Sequence, residues 1–144
     1  MIEPLKQWYC DVCSEIIEEP KKGFVIWKKG DDHLGYDFKI IHHKKCDDKS
    51  YRLSMPLMTF LGDDGKNYLL TFLSIGQIKI NLGQVSSSRV KNMDEFVDFF
   101  RRVQTSYYEE ARRRFNESEL LDYFSDSNEF NPYQEEALKE IIER

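Results

Sequence analysis

The order of apolar and polar residues in the first third of the chain predicts a β-hairpin. Residues 23–29 are mainly β-branched and aromatic, which is typical of a strand. Residues 36–40 alternate apolar and polar side chains, as a strand with one buried face does. The polar segment 30–35 contains two glycines and predicts the loop between them. The second strand therefore returns toward the start of the first.

After residue 52 the pattern predicts mainly helices. Residues 55–61 predict a short helix, because Pro56 is tolerated in a first helical turn. The apolar run 66–74 has a length that suits either a strand or a helix, and we favour a helix that ends near Gly76. Residues 62–65 predict a turn, and residues 77–82 predict a short strand. Residues 83–91 predict a serine-rich linker.

Capping motifs predict three further helices. Asn92-x-x-Glu95 fits a capping box, and an apolar stripe at helical spacing continues from it as one helix to Phe115. The next two helices begin at Asn116-x-x-Glu119 and at Asn131-Pro132. The predicted fold class is α+β, with an N-terminal hairpin module over residues 1–52 packed on a mainly helical region over residues 53–144.

Charge is distributed unevenly along the 144 residues, whose formal net charge is −5. Residues 1–52 are neutral, because ten basic and ten acidic side chains balance. Residues 89–114 carry a net charge of +2, and residues 117–144 carry −7. A nucleic-acid-binding domain usually has a strongly basic face, and only the segment 89–114 offers a candidate.

The composition predicts a cytoplasmic protein that does not enter a membrane. No apolar run approaches the roughly 18 residues that a membrane-spanning helix needs. Residues 1–7 lack the apolar centre of a signal peptide. Three cysteines cannot all pair as disulfides, and a reducing compartment keeps them as thiols available to a metal.

All three cysteines belong to one ligand pattern. Cys10 and Cys13 form a Cys-x2-Cys pair, and after 29 residues His43 and Cys46 form a His-x2-Cys pair. Two short pairs joined by a hairpin suit one tetrahedral Zn²⁺, with iron as the main competitor for a sulfur-rich site. His42 is the alternative ligand, and only one of the two histidines can readily reach the metal because neighbouring strand residues face opposite ways. The spacing favours His43.

Four protein ligands predict a structural zinc rather than a catalytic one. A catalytic zinc keeps one position for water, whereas this pattern closes the coordination sphere. The three cysteines are then engaged with the metal, and the sequence contains no glycine-rich phosphate loop and no recognisable serine nucleophile. We therefore expect a protein that is not an enzyme.

The ligand order and spacing over residues 8–50 resemble the poly(ADP-ribose) polymerase type of zinc finger. They are also similar to treble-clef or zinc-ribbon sites in general, and to small uncharacterised bacterial zinc-binding proteins. The resemblance implies Cys10, Cys13, His43 and Cys46 as ligands. The polymerase-type finger recognises DNA breaks, so nucleic-acid binding is one expectation that the resemblance carries. The helical remainder resembles no known family.

These observations predict a small intracellular structural-zinc protein that acts as a protein-binding or regulatory module. The alternative is a nucleic-acid-binding zinc-finger protein, and a zinc-dependent enzyme is the least favoured class. The oligomeric state and the identity of the partner stay open. The residues available to contact nucleic acid or an acidic partner are Arg89, Lys91, Arg101, Arg102, Arg112, Arg113 and Arg114.

Overall fold

The computed structural model describes residues 1–78, 88–125 and 132–144. These residues contain two antiparallel sheets and five α-helices, which confirms the α+β class. The strands are β1 (Trp8–Tyr9), β2 (Ile16–Ile17), β3 (Gly23–Lys29), β4 (Gly35–His42) and β5 (Leu53–Pro56). The helices are α1 (Gly62–Thr71), α2 (Met93–Gln104), α3 (Tyr108–Arg112), α4 (Ser118–Ser125) and α5 (Glu135–Glu143). Two 3₁₀ turns are formed by Pro20–Lys22 and Leu57–Phe60.

The predicted hairpin is present as β3 and β4, which pair from Gly23–His42 to Lys29–Gly35. β5 adds to the other edge of β3, so the sheet order is β4-β3-β5. β5 follows the predicted boundary at residue 52. The first strand of the region 53–144 thus completes the sheet of the region 1–52.

The helix predicted for residues 55–61 is mostly replaced by this edge strand. Met55 pairs with Val25 and Pro56 with Phe24, and only Leu57–Phe60 turns, as one 3₁₀ segment. Proline has no N–H to donate and is tolerated at a strand edge. Leu57 and Phe60 are both fully buried. Burial of this segment beneath β3 therefore outweighed the local sequence pattern, which favoured a helix.

Aromatic side chains join the sheet to the helices. The ring of Phe38 in β4 stacks on Phe99 of α2 with centroids 5.1 Å apart, and it meets Phe96 edge-on at 5.5 Å. Trp27 of β3 packs edge-on against Phe60 at 6.1 Å. Offset and edge-on ring pairs add to the stabilisation that comes from buried apolar area. A second apolar cluster, around Tyr108 of α3, contains Ala111, Leu120, Leu138 and Ile141.

The turn predicted for residues 62–65 is instead the start of α1. Gly62 has a φ of +68°, which glycine adopts at little cost, and it directs the chain into the helix. Gly65 packs directly on the backbone of Phe60. The glycines that indicate a turn in the sequence therefore allow a close approach between α1 and the 3₁₀ segment. The continuation over residues 66–71 is helical, as predicted.

The single helix predicted from residue 92 to Phe115 is broken. α2 ends at Gln104, Tyr107 adopts a left-handed φ of 71°, and α3 then begins. In a continuous helix, residues 102 and 109 would lie two turns apart, about 10.5 Å along the axis. The break brings Glu109 back to Arg102, and their side chains form a bidentate ion pair.

The predicted caps are realised in part. Asn92 caps α2 by accepting a hydrogen bond from the Glu95 N–H at 3.0 Å. The Glu95 carboxylate accepts from the Asp37 N–H of β4, so it ties the helix to the sheet. α4 begins at Ser118, close to the predicted start, and α5 begins at Glu135, after the predicted proline. The strand predicted for residues 77–82 and the linker for 83–91 lie largely outside the described residues.

Across the three described ranges, no helix combines the length and the apolar composition that crossing a bilayer requires. The longest helix in these ranges, α2, has 12 residues.

Gly65→Ala tests the close approach at the start of α1. A Cβ atom on residue 65 would lie 2.1 Å from the carbonyl carbon of Phe60. Because backbone atoms must shift to relieve that overlap, we expect the free energy of unfolding to fall by about 2–3 kcal/mol. Helix propensity alone predicts the opposite sign, a gain of about 1 kcal/mol. Urea denaturation measures the difference. Lys66→Ala, at an exposed position of α1, is the control, and a gain in stability for Gly65→Ala would contradict the packing.

Candidate metal centre

The two N-terminal cysteines lie on a short turn between β1 and β2. We refer to residues 8–17, which comprise both strands and this turn, as the knuckle. The Cys10 N–H donates to the Glu15 carbonyl at 2.9 Å, and the Ser14 N–H donates to the Cys10 carbonyl at 3.0 Å. The Val12 N–H points at the Cys10 Sγ from 3.4 Å. Strands of two residues each are too short to hold such a turn alone, so the knuckle needs other contacts.

Asp11 docks the knuckle on β4 through a reciprocal pair of hydrogen bonds. Its N–H donates to the Ile40 carbonyl at 2.8 Å, and its carboxylate Oδ2 accepts from the Ile40 N–H at 2.7 Å. The side chain therefore takes the place of a neighbouring strand at this edge. The contact places the two cysteines of the turn beside the end of β4, where the second ligand pair begins.

Four potential ligand atoms converge there, from Cys10, Cys13, His42 and Cys46. They all lie within 4.8 Å of one another, so the group could hold a metal ion. The His42 Nδ1 lies 3.4 Å from the Cys13 Sγ and 3.8 Å from the Cys46 Sγ. The other ring nitrogen, Nε2, lies 3.1 Å from the Ile16 carbonyl oxygen. A carbonyl can only accept, so Nε2 carries the proton and Nδ1 offers its lone pair to the metal position.

His43, the histidine favoured by spacing, is not part of this group. Its ring stacks on Phe24 with centroids 4.0 Å apart. Phe24 pairs with Ile41, so these two side chains extend from the same face of the sheet. His42 follows Ile41 and therefore extends from the opposite face, because neighbouring strand residues alternate. The alternation in β4 thus directs His42 to the side of the knuckle, and His43 lies on the side of Phe24. The ligand assignment is corrected to the alternative that the sequence left open.

The three thiols lie close enough together to affect one another's ionisation. Burial opposes ionisation of Cys10, but N–H groups of Cys13, Val12 and His42 point at its sulfur and lower its pKa to about 6. Burial raises the pKa of Cys46 to about 11, and the adjacent sulfurs of Cys10 and Cys13 add to that effect. Three thiolates this close repel one another. A bound cation removes the repulsion and favours the thiolate form of all three.

A buried arginine joins the knuckle to α2 and α3. Arg102 is only 3% exposed. Its Nη1 donates to the Asp11 carboxylate at 2.7 Å, and its Nε and Nη2 donate to the Glu109 carboxylate at 2.7 and 2.8 Å. Nη2 also lies 3.2 Å from the Tyr9 carbonyl, and the Trp8 indole N–H donates to the Arg102 carbonyl at 2.8 Å. Burial alone would lower the pKa of Arg102, but the two carboxylates raise it above its ordinary value.

The expectation that Arg102 contacts an external partner is therefore wrong, because its guanidinium is buried and paired with Asp11 and Glu109. Three other candidates form ion pairs on the surface, Arg112 with Asp98, Arg113 with Glu110 and Arg114 with Glu117, at 2.8, 3.3 and 2.8 Å. The remaining three candidates contact neighbours of the same chain. Arg101 and Lys91 lie over the rings of Tyr133 and Tyr36, respectively. The guanidinium of Arg89 donates a hydrogen bond to the Thr71 carbonyl.

Sequence reasoning missed Asp11 and Glu109, the two carboxylates that position the knuckle. Asp11 offers a local signal, since it lies between the two cysteines of a Cys-x2-Cys turn, where a side-chain acceptor can reach a strand edge. Glu109 offers none, because its contact with Arg102 depends on the break between α2 and α3.

No family model matches the chain, and no curated protein or solved structure matches it either. The resemblance of residues 8–50 to the polymerase-type finger therefore stays a prediction that rests on the ligand pattern.

Separate substitutions of His42 and His43 test the ligand assignment. We expect His42→Ala to weaken Zn²⁺ binding by at least about 100-fold, because it removes one of four donors. His42→Cys restores a fourth donor and should recover most of the affinity. His43→Ala is the matched control and should bind as the wild type does. Competition with a chromophoric chelator measures all four proteins. Loss of Zn²⁺ affinity in His43→Ala, with His42→Ala unaffected, would restore the spacing-based assignment.

Arg102→Met tests the buried ion-pair group. The substitution keeps much of the side-chain volume but leaves two carboxylates without their cation. Breaking a buried pair from one side costs about 3–5 kcal/mol, so we expect a large loss of stability. Arg113→Met, at an exposed ion pair, should change stability by less than about 1 kcal/mol. Guanidinium unfolding of both variants gives the comparison. Equal effects in the two variants would show that Arg102 does not hold the fold.

Proposed function

We propose that the protein is a structural-zinc protein that acts as a binding or regulatory module in the cytoplasm. One Zn²⁺ is held by Cys10, Cys13, His42 and Cys46. The single observation that carries the proposal is the convergence of these three sulfurs and one imidazole nitrogen within 4.8 Å.

The interatomic distances support zinc. With Zn–S bonds of about 2.3 Å and Zn–N bonds of about 2.0–2.1 Å, tetrahedral sulfur and nitrogen ligands lie about 3.5–3.6 Å apart. The distances from the His42 Nδ1 to the Cys13 and Cys46 sulfurs are 3.4 and 3.8 Å, on either side of that value. The donor set also suits zinc, since thiolate and imidazole are its usual structural ligands.

The position of the group supports a structural role. Cys10 and Cys13 belong to the knuckle, whereas His42 ends β4 and Cys46 lies in the turn after it. An ion bound by all four would join two segments that are remote in sequence, and its binding energy would add to folding. Four protein donors also leave no position for a reacting water, which argues against a zinc enzyme.

A closed metal site supports a protein that acts by contact rather than by catalysis. The alternative that used residues 89–114 as a nucleic-acid surface loses support, because Arg102 is buried and the cations at 112, 113 and 114 are paired with acids. The sequence favours a protein as the partner of this module. Among the described residues, exposed cations without a carboxylate partner, such as Lys29 and Arg52, lie instead beside the three-stranded sheet.

Metal content and coordination test the proposed function. Native mass spectrometry of the purified chain should show one zinc per molecule. Cobalt(II) exchanged into the site should give the visible spectrum of a four-coordinate centre with thiolate ligands. A chelator should lower the midpoint of thermal unfolding, because the knuckle loses its link to β4. A chain that purifies without stoichiometric zinc would refute the proposal. A five-coordinate cobalt spectrum would indicate a catalytic rather than a structural metal site.

A further inference from the structure

The register of the three-stranded sheet aligns two cations and a tyrosine. Lys28 of β3 pairs with Tyr36 of β4. On the other side of β3, Trp27 pairs with Leu53 of β5, so Arg52 lies opposite Lys28 by the antiparallel register. Directly opposed residues on neighbouring strands extend from the same face of a sheet. These three side chains therefore line up across the sheet.

A fourth segment extends the alignment with another cation. Val90 forms a parallel bridge with Gly35, and the Lys91 N–H donates to the Gly35 carbonyl at 2.9 Å. The next residues in the two segments, Lys91 and Tyr36, are therefore neighbours, and the Lys91 Nζ lies 4.9 Å from the centroid of the Tyr36 ring. Arg52, Lys28, Tyr36 and Lys91 together form what we term the basic row. Its four segments span about 14 Å at the usual strand spacing.

Three members of the basic row, Arg52, Lys28 and Tyr36, line an open groove of about 510 Å³, and Lys91 lies next to it against the ring of Tyr36. The side chains lining the groove include Lys28, Lys29, Arg52, Tyr36 and Ser50, with one carboxylate, Asp31. Three cations therefore face one concave surface.

The positive charge of this groove is available to a ligand. Within the described part of the chain, Lys29, Arg52 and Lys91 are exposed and have no carboxylate oxygen within 4.0 Å. Lys28 has one such neighbour, Asp37 at 4.0 Å, and the Asp37 carboxylate also accepts a hydrogen bond from the Tyr51 hydroxyl. Three of the four cations therefore have no carboxylate partner among the described residues, in a chain whose formal net charge is −5.

We propose that the groove and its basic row bind single-stranded nucleic acid. The proposal names the partner of the module and rests on the proposed function. Proteins that bind single strands combine a positive groove along the phosphate backbone with aromatic side chains beside the bases. Arg52, Lys29 and Lys91 supply the phosphate contacts, and Tyr36 supplies the ring between them. The aromatic ring of Tyr36 favours a single strand over a duplex, because the bases of a single strand are free to stack on a side chain.

Fluorescence anisotropy with labelled single strands of about twelve nucleotides tests the proposal. The zinc-loaded wild type should bind, with affinity falling steeply between about 50 and 200 mM salt. The triple variant Lys29→Gln, Arg52→Gln, Lys91→Gln should bind at least about tenfold more weakly at low salt. Each lost phosphate contact reduces the slope of log affinity against log salt by about 0.7, so the slope should fall by about 2.

The control is Lys21→Gln, Lys22→Gln, Lys66→Gln, which removes the same charge from exposed lysines outside the groove and should bind as the wild type does. The proposal is overturned by wild-type protein that contains zinc but does not bind, or by an equal loss of affinity in both triple variants. Tighter binding of a duplex of the same length, or of a polyglutamate peptide, also overturns it and assigns the groove to another partner. Because zinc content is measured separately, failure here is distinguishable from failure of the structural-zinc proposal.

Discussion

The fold depends on a guanidinium held away from water between two carboxylates. A buried cation is tolerated only when its charge and its N–H groups are satisfied, and Arg102 meets that condition through Asp11 and Glu109. The two acids come from the knuckle and from α3, and Arg102 itself comes from α2. One residue therefore sets the relative positions of three segments that lie up to 98 positions apart in the sequence. The break between α2 and α3 is the conformation that lets both acids reach it.

The knuckle is held from two sides by different chemistry. On one side, Asp11 accepts hydrogen bonds from both Ile40 and Arg102, so a single carboxylate links the sheet edge to the buried cation. On the other side, the thiols of Cys10 and Cys13 lie beside His42 and Cys46. Strands of two residues could not maintain this geometry alone. Bound metal would close the sulfur side, and the ion-pair group closes the other.

Total charge is a poor guide to the surface of this protein. The segment 89–114 is basic by count, yet Arg102 is buried and Arg112 is paired with Asp98. The segment 1–52 is neutral by count, yet Lys29 and Arg52, which have no carboxylate partner among the described residues, line one groove at the end of the sheet. Charge balance along the chain and charge balance in space differ because strand pairing gathers residues from separate segments.

Local patterns determined the hairpin, the α+β class, the three cysteines of the candidate metal site and the Asn92 cap. Each depends on residues close together in the chain, where alternation, short ligand spacing and capping geometry act directly. Only the tertiary structure decided which histidine joins the cysteines, because spacing admits both and the face of β4 selects His42. It also turned residues 53–56 into a strand, began α1 at Gly62 and broke the predicted helix before α3. In each of these cases a contact with a remote segment outweighed the local preference, and no pattern confined to the segment itself contains that contact.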